Sequence, residues 1–204
     1  MSEQPLGPVS EPTERTRQKA ARRQQLLVAA ARLFAERGFH AASIEELGGA
    51  VGISGPAVYR HFANKEAILG DLLVGVSRRL LDGGTAMAAG AASAQEAIEA
   101  LVSFHVEFAL HDSDLIRVQD RDFASLPAPE ARTVRMLQRA YVEIWVEVLL
   151  ALDPSCARVV ARTKAHAAFG LLNSTPHSAT SRDVEITRSV LEAMTLAALR
   201  AKPS

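Results

Sequence analysis

The 204-residue sequence lacks features that mark several large classes of protein. It contains a single cysteine, Cys156, which excludes an internal disulfide framework and fits a reducing compartment. No apolar run approaches the ~18 residues typical of a membrane span. The first residues, MSEQPLGPVSEPTERTRQKAARR, lack the apolar core of a signal peptide. We therefore expect a protein that does not enter a membrane and that stays in the cytoplasm.

Patterns typical of catalysis or metal binding are also missing from the sequence. The six histidines show neither an HExxH motif nor a Cys/His ligand spacing, and no glycine-rich phosphate loop follows a strand. We expect no catalytic residues, no metal site and no cofactor. A metal-sensing regulator that assembles ligands from separate helices is an alternative that spacing alone does not remove.

The stretch 43–65, SIEELGGAVGISGPAVYRHFANK, predicts two short helices joined by a tight turn. Ser43 and Glu46 form a capping box, in which each side chain bonds a backbone N–H of the other residue. Gly52 ends the first helix because glycine adopts a left-handed conformation without a side-chain penalty. The pattern indicates a helix-turn-helix.

The second helix of this pair is predicted to be about two turns long, with Ser54 as its cap and Pro56 in its first turn. Val58 and Phe62, four residues apart, face inward, so the outer face is basic, aromatic and otherwise small. A protruding helix of this kind fits the major groove of DNA. Lys65 begins the next helix, whose N-terminus attracts phosphate. The predicted DNA-binding residues are Arg22, Arg23, Ser43, Ser54, Gly55, Ala57, Tyr59, Arg60, His61 and Lys65.

The net charge is zero, with 23 basic and 23 acidic residues, but its distribution is uneven. Residues 13–65 contain nine arginines and lysines against four glutamates, so the remainder carries net minus five. Between 15 and 23 five basic residues occur without an acid. This run is either a solvated helix start or an arm that neutralises phosphates or enters a minor groove. We favour the arm because it precedes the helix-turn-helix.

Residues 38–39, Gly-Phe, and residues 52–69, GISGPAVYRHFANKEAIL, resemble the DNA-binding domain of the TetR family of bacterial transcriptional repressors. The resemblance covers about residues 20–75, and Tyr59, Phe62 and Lys65 stand at the family's spacing from the turn. Gly48 and its neighbour Gly49 depart from the pattern and are expected to loosen their helix by roughly 1 kcal/mol each. Pro56 stands where a small polar residue is frequent in the family.

The rest of the chain is predicted to be helical, with no convincing strand pattern. The fold class is all-α, with an N-terminal three-helix helix-turn-helix domain and a C-terminal helical ligand-binding and dimerisation domain. The predicted divisions are a disordered tail 1–14, a DNA-binding domain 15–64, a connecting helix 65–82 and a C-terminal domain 83–204. The predicted helices outside the helix-turn-helix pair are 20–37, 65–82, 95–111, 114–124, 130–152, 155–173 and 183–200, with a loop or a frayed helix end at 83–94 and a loop at 176–181.

The last two predicted helices are too apolar to face water on both sides, which is typical of an association surface. A homodimer in which these helices form a four-helix bundle buries that surface, and the TetR resemblance implies this arrangement. A two-fold dimer also places two recognition helices about one DNA turn apart, ~34–36 Å, on a palindromic operator in double-stranded DNA. The alternative is a monomer whose other helices cover the same residues.

Several polar and aromatic residues interrupt the inward stripes of the C-terminal helices. A single buried polar residue is usually a core group with a hydrogen bond, whereas several on different helices can line a small-molecule pocket. The resemblance implies an effector pocket in this half, and its apolar character favours an apolar or amphipathic compound. The predicted ligand-binding residues are Phe104, His105, Phe108, Gln119, Phe123, Tyr141, Trp145, His166, Phe169 and Asn173.

We therefore expect a DNA-binding transcriptional repressor that a small-molecule effector releases from its operator, not an enzyme. An enzyme behind a DNA-binding head is an alternative from another class, and it requires a nucleophile and a base that the sequence does not pair. A helical scaffold for another protein is a third reading, but it leaves the basic run and the capped outer helix without a role.

Overall fold

The computed structural model describes residues 13–175 and 183–202, and every regular element in those ranges is a helix, which confirms the all-α prediction. The helices are α1 (Glu14–Arg37), α2 (Ile44–Ala50), α3 (Gly55–Val58), α4 (Lys65–Gly90), α5 (Ala94–His111), α6 (Ser113–Asp122), a 3₁₀ turn (Phe123–Ser125), α7 (Ala128–Leu152), α8 (Arg158–Leu172) and α9 (Val184–Arg200). The predicted tail, apart from its last two positions, and the predicted loop 176–181 lie outside the described residues.

Helix α1 begins at Glu14, six residues before its predicted start, so the basic residues of 15–23 are helical and do not form an extended arm. The reason lies at Thr13, whose hydroxyl oxygen accepts the N–H of Thr16 at 3.4 Å and caps the helix. The helix ends at Gly38, where φ is +89° and a side chain would be strained. The basic residues of the run 15–23 therefore project from a regular helix.

Helix α4 continues through Gly83 and Gly84 to Gly90, so the predicted end of the helix at Asp82 is wrong and only residues 91–93 separate α4 from α5. The two glycines do not break the helix because each makes room for a ring. A Cβ on Gly83 would overlap the ring of Phe104, and a Cβ on Gly84 would overlap the ring of Tyr141. Close packing of α5 and α7 offsets the poor helix propensity of glycine.

The remaining helices agree with the predictions to within a few residues. Helix α8 starts at Arg158 and not at Ser155, because Ser155 donates its N–H to Asp153 Oδ1 at 3.1 Å and forms a turn. Helix α6 ends at Asp122 and passes into the 3₁₀ turn.

Two apolar cores divide the fold. The first joins α1, α2, α3 and the first half of α4 to residues of α6 and the start of α7, including Leu115, Val118 and Val134. The second joins α5, the rest of α7, α8 and α9 around Trp145. Helix α4 passes from one core to the other, with Leu80 packed against both. None of the helices in the described ranges is both long and apolar enough to cross a bilayer.

Candidate DNA-binding surface and effector site

The turn between α2 and α3 has the predicted local geometry. Ser43 Oγ accepts the N–H of Glu46 at 3.2 Å, and Glu46 Oε2 accepts the N–H of Ser43 at 3.0 Å, which completes the capping box. Gly48 is required here and does not simply loosen α2, because a Cβ would lie 2.7 Å from the carbonyl oxygen of Ile53. Gly52 has φ +73° in the turn itself. Ser43 therefore stabilises α2 through its side chain.

Helix α3 is shorter than predicted, with one regular turn that continues into turns ending at Phe62. Val58 and Phe62 are buried, as predicted, while Tyr59 is 54% exposed and Arg60 is also exposed. Gly55 is buried against Glu45, not on the outer face, so its place among the predicted DNA contacts is not supported.

The other predicted residues of α3 lie on or near its outer surface. Ser54 occupies the cap position and is exposed, but its side chain does not form the predicted cap hydrogen bond. Ala57 and His61 are half-buried. The outer face thus presents Tyr59 and Arg60 most fully.

A basic groove of about 480 Å³ separates the first half of α1 from His61. Its walls include Arg15, Lys19 and Arg22. Partial burial lowers the pKa of His61, and the nearby cations Lys19, Arg22, Arg23 and Arg60 lower it further. The groove therefore holds concentrated positive charge beside the recognition helix, which suits a DNA phosphate.

Arg22 and Arg23 are held by contacts within the protein. Arg22 Nη1 donates to the carbonyl oxygen of Val51 at 2.9 Å, at the end of α2. Arg23 pairs with Asp71 on α4, and its guanidinium carbon lies 4.3 Å from the centre of the Phe62 ring. These contacts fix α1 against the helix-turn-helix.

Lys65 also serves the interior of the DNA-binding head. Its ammonium donates to the carbonyl oxygens of Ala42 at 2.9 Å and His40 at 3.2 Å, and it lies 4.7 Å from the centre of the Phe39 ring. Helix α4 begins after Asn64, whose Oδ1 accepts the N–H of Ala67 at 2.8 Å. Lys65 thus ties the start of α4 to the segment between α1 and α2.

Five of the ten predicted ligand-binding residues meet in one buried cluster. His105 Nδ1 lies 3.1 Å from the hydroxyl of Tyr141, and its Nε2 lies 3.1 Å from Asn173 Oδ1. The Trp145 and Phe169 rings are 4.9 Å apart, centre to centre. We call His105, Tyr141, Trp145, Phe169 and Asn173 the aromatic cluster.

The interior of this cluster is strongly desolvated. Burial lowers the pKa of His105 to about 4, although its hydrogen bond to Asn173 acts in the opposite direction, so the imidazole is neutral at pH 7. Burial also raises the pKa of Tyr141. Trp145 is completely buried, and its indole nitrogen lies beside the Tyr141 hydroxyl but meets no acceptor in good hydrogen-bond geometry among the described residues. A buried donor without a partner is suited to bond a polar group of a ligand.

The other five predicted ligand-binding residues are only partly near the cluster. Phe108 contacts His105 edge-on at 5.5 Å, and Phe104 packs over Gly83. His166 is exposed on α8, contrary to the prediction, because its side chain falls on the outer face of that helix.

Two predicted ligand-binding residues lie on α6 and in the 3₁₀ turn after it. Phe123 lies against the first core, with the Arg135 guanidinium 5.0 Å from its ring centre, so it is separated from the cluster. Gln119 is half-buried on α6. The predicted pocket therefore shrinks to the aromatic cluster and the two phenylalanines of α5.

The structure also brings together residues that are not among the predicted site residues. Asp122, at the end of α6, is buried and its Oδ2 accepts the backbone N–H of Phe39 at 3.2 Å. Arg121 bonds the same carboxylate at 3.0 Å and donates to the carbonyl oxygens of Phe34 and Ala35 at the end of α1. We call Arg121 and Asp122 the α6 clamp. In the sequence, this clamp is indicated only by the high density of charged residues between the apolar residues of α6.

An apolar surface lies on the outer sides of α8 and α9. Val159 is 71% exposed and Ile186 is 66% exposed, and Val190 and Met194 follow at helical spacing on α9. Ala168 and Leu172, also on α8, face the core instead. We call Val159, Ile186, Val190 and Met194 the α8–α9 face. In the described ranges, no group of three or more His, Cys, Asp or Glu residues is arranged to hold a metal ion.

Comparisons with known proteins agree with this geometry. Residues 26–72 match the family model described as "Bacterial regulatory proteins, tetR family", and residues 91–177 match "Tetracyclin repressor-like, C-terminal domain". The chain is 30% identical over 139 residues to the transcriptional repressor KstR2 of Rhodococcus jostii, covering 68% of each chain.

Two solved structures show the same fold. A TetR-family regulator from Bordetella parapertussis superposes with a TM-score of 0.79 at 23% identity, covering 88% of this chain and 94% of the other. The regulator FadR of Bacillus subtilis, solved with stearoyl-CoA, superposes with a TM-score of 0.69 at 19% identity, covering 89% and 99%.

Proposed function

The chain belongs to the TetR family of bacterial regulatory proteins, and we propose that it is a repressor that an effector releases from a palindromic operator. Members of the family bind DNA and regulate transcription, so the chain is a transcriptional regulator and not an enzyme. The observation that carries the proposal is the exposed Tyr59–Arg60 pair beside the basic groove, on a helix braced by α1 and α4.

Tyr59 and Arg60 are the proposed direct DNA contacts. A guanidinium offers a forked pair of donors to guanine, and a tyrosine hydroxyl can bond a phosphate. The groove lined by Arg15, Lys19 and Arg22 is proposed to hold the adjacent phosphate backbone. Ser54 and Ala57 complete the proposed surface, whereas Lys65 supports it from inside.

A homodimer formed through the α8–α9 face is the proposed assembly. Exposed apolar side chains in helical register on two adjacent helices match what an isologous helical interface buries. Two-fold symmetry then presents two α3 helices to the two halves of a palindromic site.

The aromatic cluster is the proposed effector site. FadR of Bacillus subtilis was solved with stearoyl-CoA, which shows that a protein with this fold accommodates an acyl ligand. In this chain the buried Trp145 indole nitrogen and the His105–Tyr141–Asn173 hydrogen bonds supply polar groups within an apolar surrounding. An apolar or amphipathic effector would separate the rings and bond these groups.

The α6 clamp and helix α4 are the proposed links between the effector site and DNA. Helix α4 places Gly84 against Tyr141 at one end and begins at Lys65, beside α3, at the other. Helix α6 fixes the end of α1 through Arg121 and Asp122. An effector that favours one position of these helices changes the separation of the two heads, so both half-sites are no longer bound together.

The test is a binding assay with purified full-length protein and the DNA upstream of its own gene. We expect specific retardation that excess unrelated DNA does not abolish, and release by one member of a panel of acyl-CoA esters and sterols. A reporter driven by the same DNA should rise when the regulator gene is deleted. A fall in reporter output would instead indicate an activator, and an absence of specific retardation would contradict the proposal.

A further inference from the structure

A second cavity lies at the end of the molecule farthest from α3. It has a volume of about 370 Å³ and is enclosed by the start of α5, the end of α7, the turn after it, and the inner faces of α8 and α9. Leu149, in its wall, follows Trp145 by one helical turn, so the cavity continues the second core beyond the aromatic cluster. None of the predicted ligand-binding residues lines it.

The walls of this distal cavity are aliphatic. Five leucine and isoleucine side chains surround it, contributed by α5, α7 and α9, with no aromatic ring among the lining residues of the described chain. They are Ile98, Leu149, Leu152, Leu196 and Leu199. Such walls favour a flexible hydrocarbon chain, and the volume falls at the small end of the range for ligand sites.

The polar groups of the cavity carry more positive than negative charge. Lys164, Arg200 and Lys202 line it together with a single carboxylate, Asp153. Arg200 also pairs with Glu99, outside the cavity, at 3.1 Å, which leaves the two lysines as the main source of positive potential. A cavity of this character complements an anionic head group.

Lys164 is the group best placed to receive that anion. It is half-buried, and its ammonium donates to the carbonyl oxygen of Leu199 at 2.9 Å. This bond uses one of the three donors of an ammonium group. The Asp153 carboxylate is hydrogen-bonded within its own turn. Its Oδ1 accepts the hydroxyl of Ser155 at 2.6 Å and the N–H of Ser155 at 3.1 Å. The pKa of Asp153 is lowered chiefly by these bonds and further by Lys202 and Lys164, so the carboxylate is ionised and offsets one of the positive charges of the cavity.

We propose that the distal cavity is a second ligand site, which binds a medium-chain aliphatic carboxylate with its head group at Lys164 and its chain between α5, α7 and α9. The site is separate from the proposed effector site in the aromatic cluster. Its existence does not depend on DNA binding or on repression.

Cys156 provides a direct measurement of occupancy. It is the only cysteine of the chain, it lines the cavity and it is half-buried. A ligand that fills the cavity shields the thiol. The rate of alkylation by N-ethylmaleimide should therefore fall by about tenfold when decanoate is present at roughly ten times its Kd. Calorimetry on the same protein should give one decanoate per protomer, without any DNA in the sample.

Matched probes and variants separate this site from non-specific binding. Decanol should protect Cys156 less than decanoate, and decylamine should not protect it. Lys164→Gln should weaken decanoate binding by about tenfold, because a charged hydrogen bond is lost, while Lys164→Arg restores it. The surface variant Arg139→Gln removes one positive charge outside the cavity and should leave the affinity for decanoate unchanged.

A cavity-filling variant tests the location of the bound chain. Leu196→Trp should abolish protection by decanoate, and its circular dichroism and melting transition report whether it folds. Three results would overturn the proposal: no binding heat together with an unchanged alkylation rate, equal protection by decylamine, or undiminished decanoate affinity in Lys164→Gln. Retained decanoate binding in a folded Leu196→Trp variant would also overturn it.

Discussion

The carboxylate of Asp122 accepts the backbone N–H of Phe39 at 3.2 Å, across 83 positions of sequence. Asp122 ends α6, in the part of the chain that follows α5, and Phe39 lies in the turn between α1 and α2 of the DNA-binding head. The bond is buried, where a hydrogen bond to a charged group is worth more than one at the surface. The α6 clamp therefore joins the head to the body independently of the covalent link through α4.

Removal of this contact should uncouple the head from the body. We expect Asp122→Ala to lower the free energy of unfolding by about 1–3 kcal/mol, because the Phe39 N–H and the Arg121 guanidinium lose their partner. It should also reduce the factor by which an effector weakens DNA binding. Asp114→Ala, on the same helix with a half-exposed carboxylate, is the control for both measurements. Equal behaviour of the two variants in chemical denaturation and effector titration would contradict a role for the clamp.

Gly84 and Gly75, both on α4, should respond in opposite senses to substitution by alanine. Gly84→Ala should destabilise the fold by about 1–3 kcal/mol, because the added methyl overlaps Tyr141. Gly75→Ala adds a methyl into open space on the same helix and should stabilise the fold by up to about 1 kcal/mol. Thermal denaturation of both variants gives the comparison. A stabilising Gly84→Ala would show that α4 and α7 are not in close contact.

Stability should depend on pH through His105. Its folded pKa of about 4 is below the value of 6.5 expected in the unfolded chain, so the unfolded state takes up a proton first as the pH falls. Above pH 6.5 the neutral His105 therefore makes its full contribution to the free energy of unfolding. As the pH falls towards 4, about 3 kcal/mol of that free energy is lost.

Urea denaturation at several pH values measures this effect. His105→Gln should lower stability at pH 7 and flatten its pH dependence, and His166→Gln, at an exposed site on α8, is the control for loss of a histidine. Parallel profiles for wild type and His105→Gln would show that His105 is not desolvated.

The effect of an Arg60 substitution on sequence specificity should show which part of the DNA this residue contacts. If it reads a base, Arg60→Ala relaxes preference at one position of each half-site and costs about 1–3 kcal/mol there. If Arg60 binds a phosphate, the affinity for all sequences falls by the same factor and the salt dependence of binding decreases. Binding to a library of operator variants distinguishes the two, with Arg32→Ala on the exposed side of α1 as the control. Unchanged affinity for every sequence would remove Arg60 from the interface.

The α8–α9 face should control the oligomeric state. Val190→Asp places a charge in the proposed interface and should convert the dimer to a monomer at micromolar concentration. Met136→Asp makes the same type of change at a residue of α7 that is 61% exposed, and should leave the dimer intact. Sedimentation equilibrium measures both. A dimer that survives Val190→Asp and dissociates with Met136→Asp would move the interface to α7.

The sequence predicts the all-α fold and the helix-turn-helix because these depend on local chemistry. The Ser43–Glu46 capping box, the turn at Gly52 and the inward pair Val58 and Phe62 are all set by residues a few positions apart. Gly83 and Gly84 show where local reasoning fails. Their usual meaning as a helix end is overridden by two rings that arrive from α5 and α7.

The candidate ligand residues were harder to predict because helical periodicity does not give the rotation of each helix against its neighbours. His105, Tyr141 and Trp145 face one another, but His166 faces solvent from a helix with many small residues. The α6 clamp depends on backbone groups of α1, which have no signature in a side-chain pattern.

In the proposed complex, two copies of α3 read two half-sites of one operator, about one DNA turn apart. Fluorescence anisotropy with two duplexes tests this arrangement directly. One duplex carries the operator identified by footprinting, and the other carries the same operator with five base pairs inserted between the half-sites. We expect two protomers per operator, and a large loss of affinity on insertion, since about half a helical turn places one half-site on the opposite face of the duplex. Binding of one protomer per site, with equal affinity for both duplexes, would contradict it.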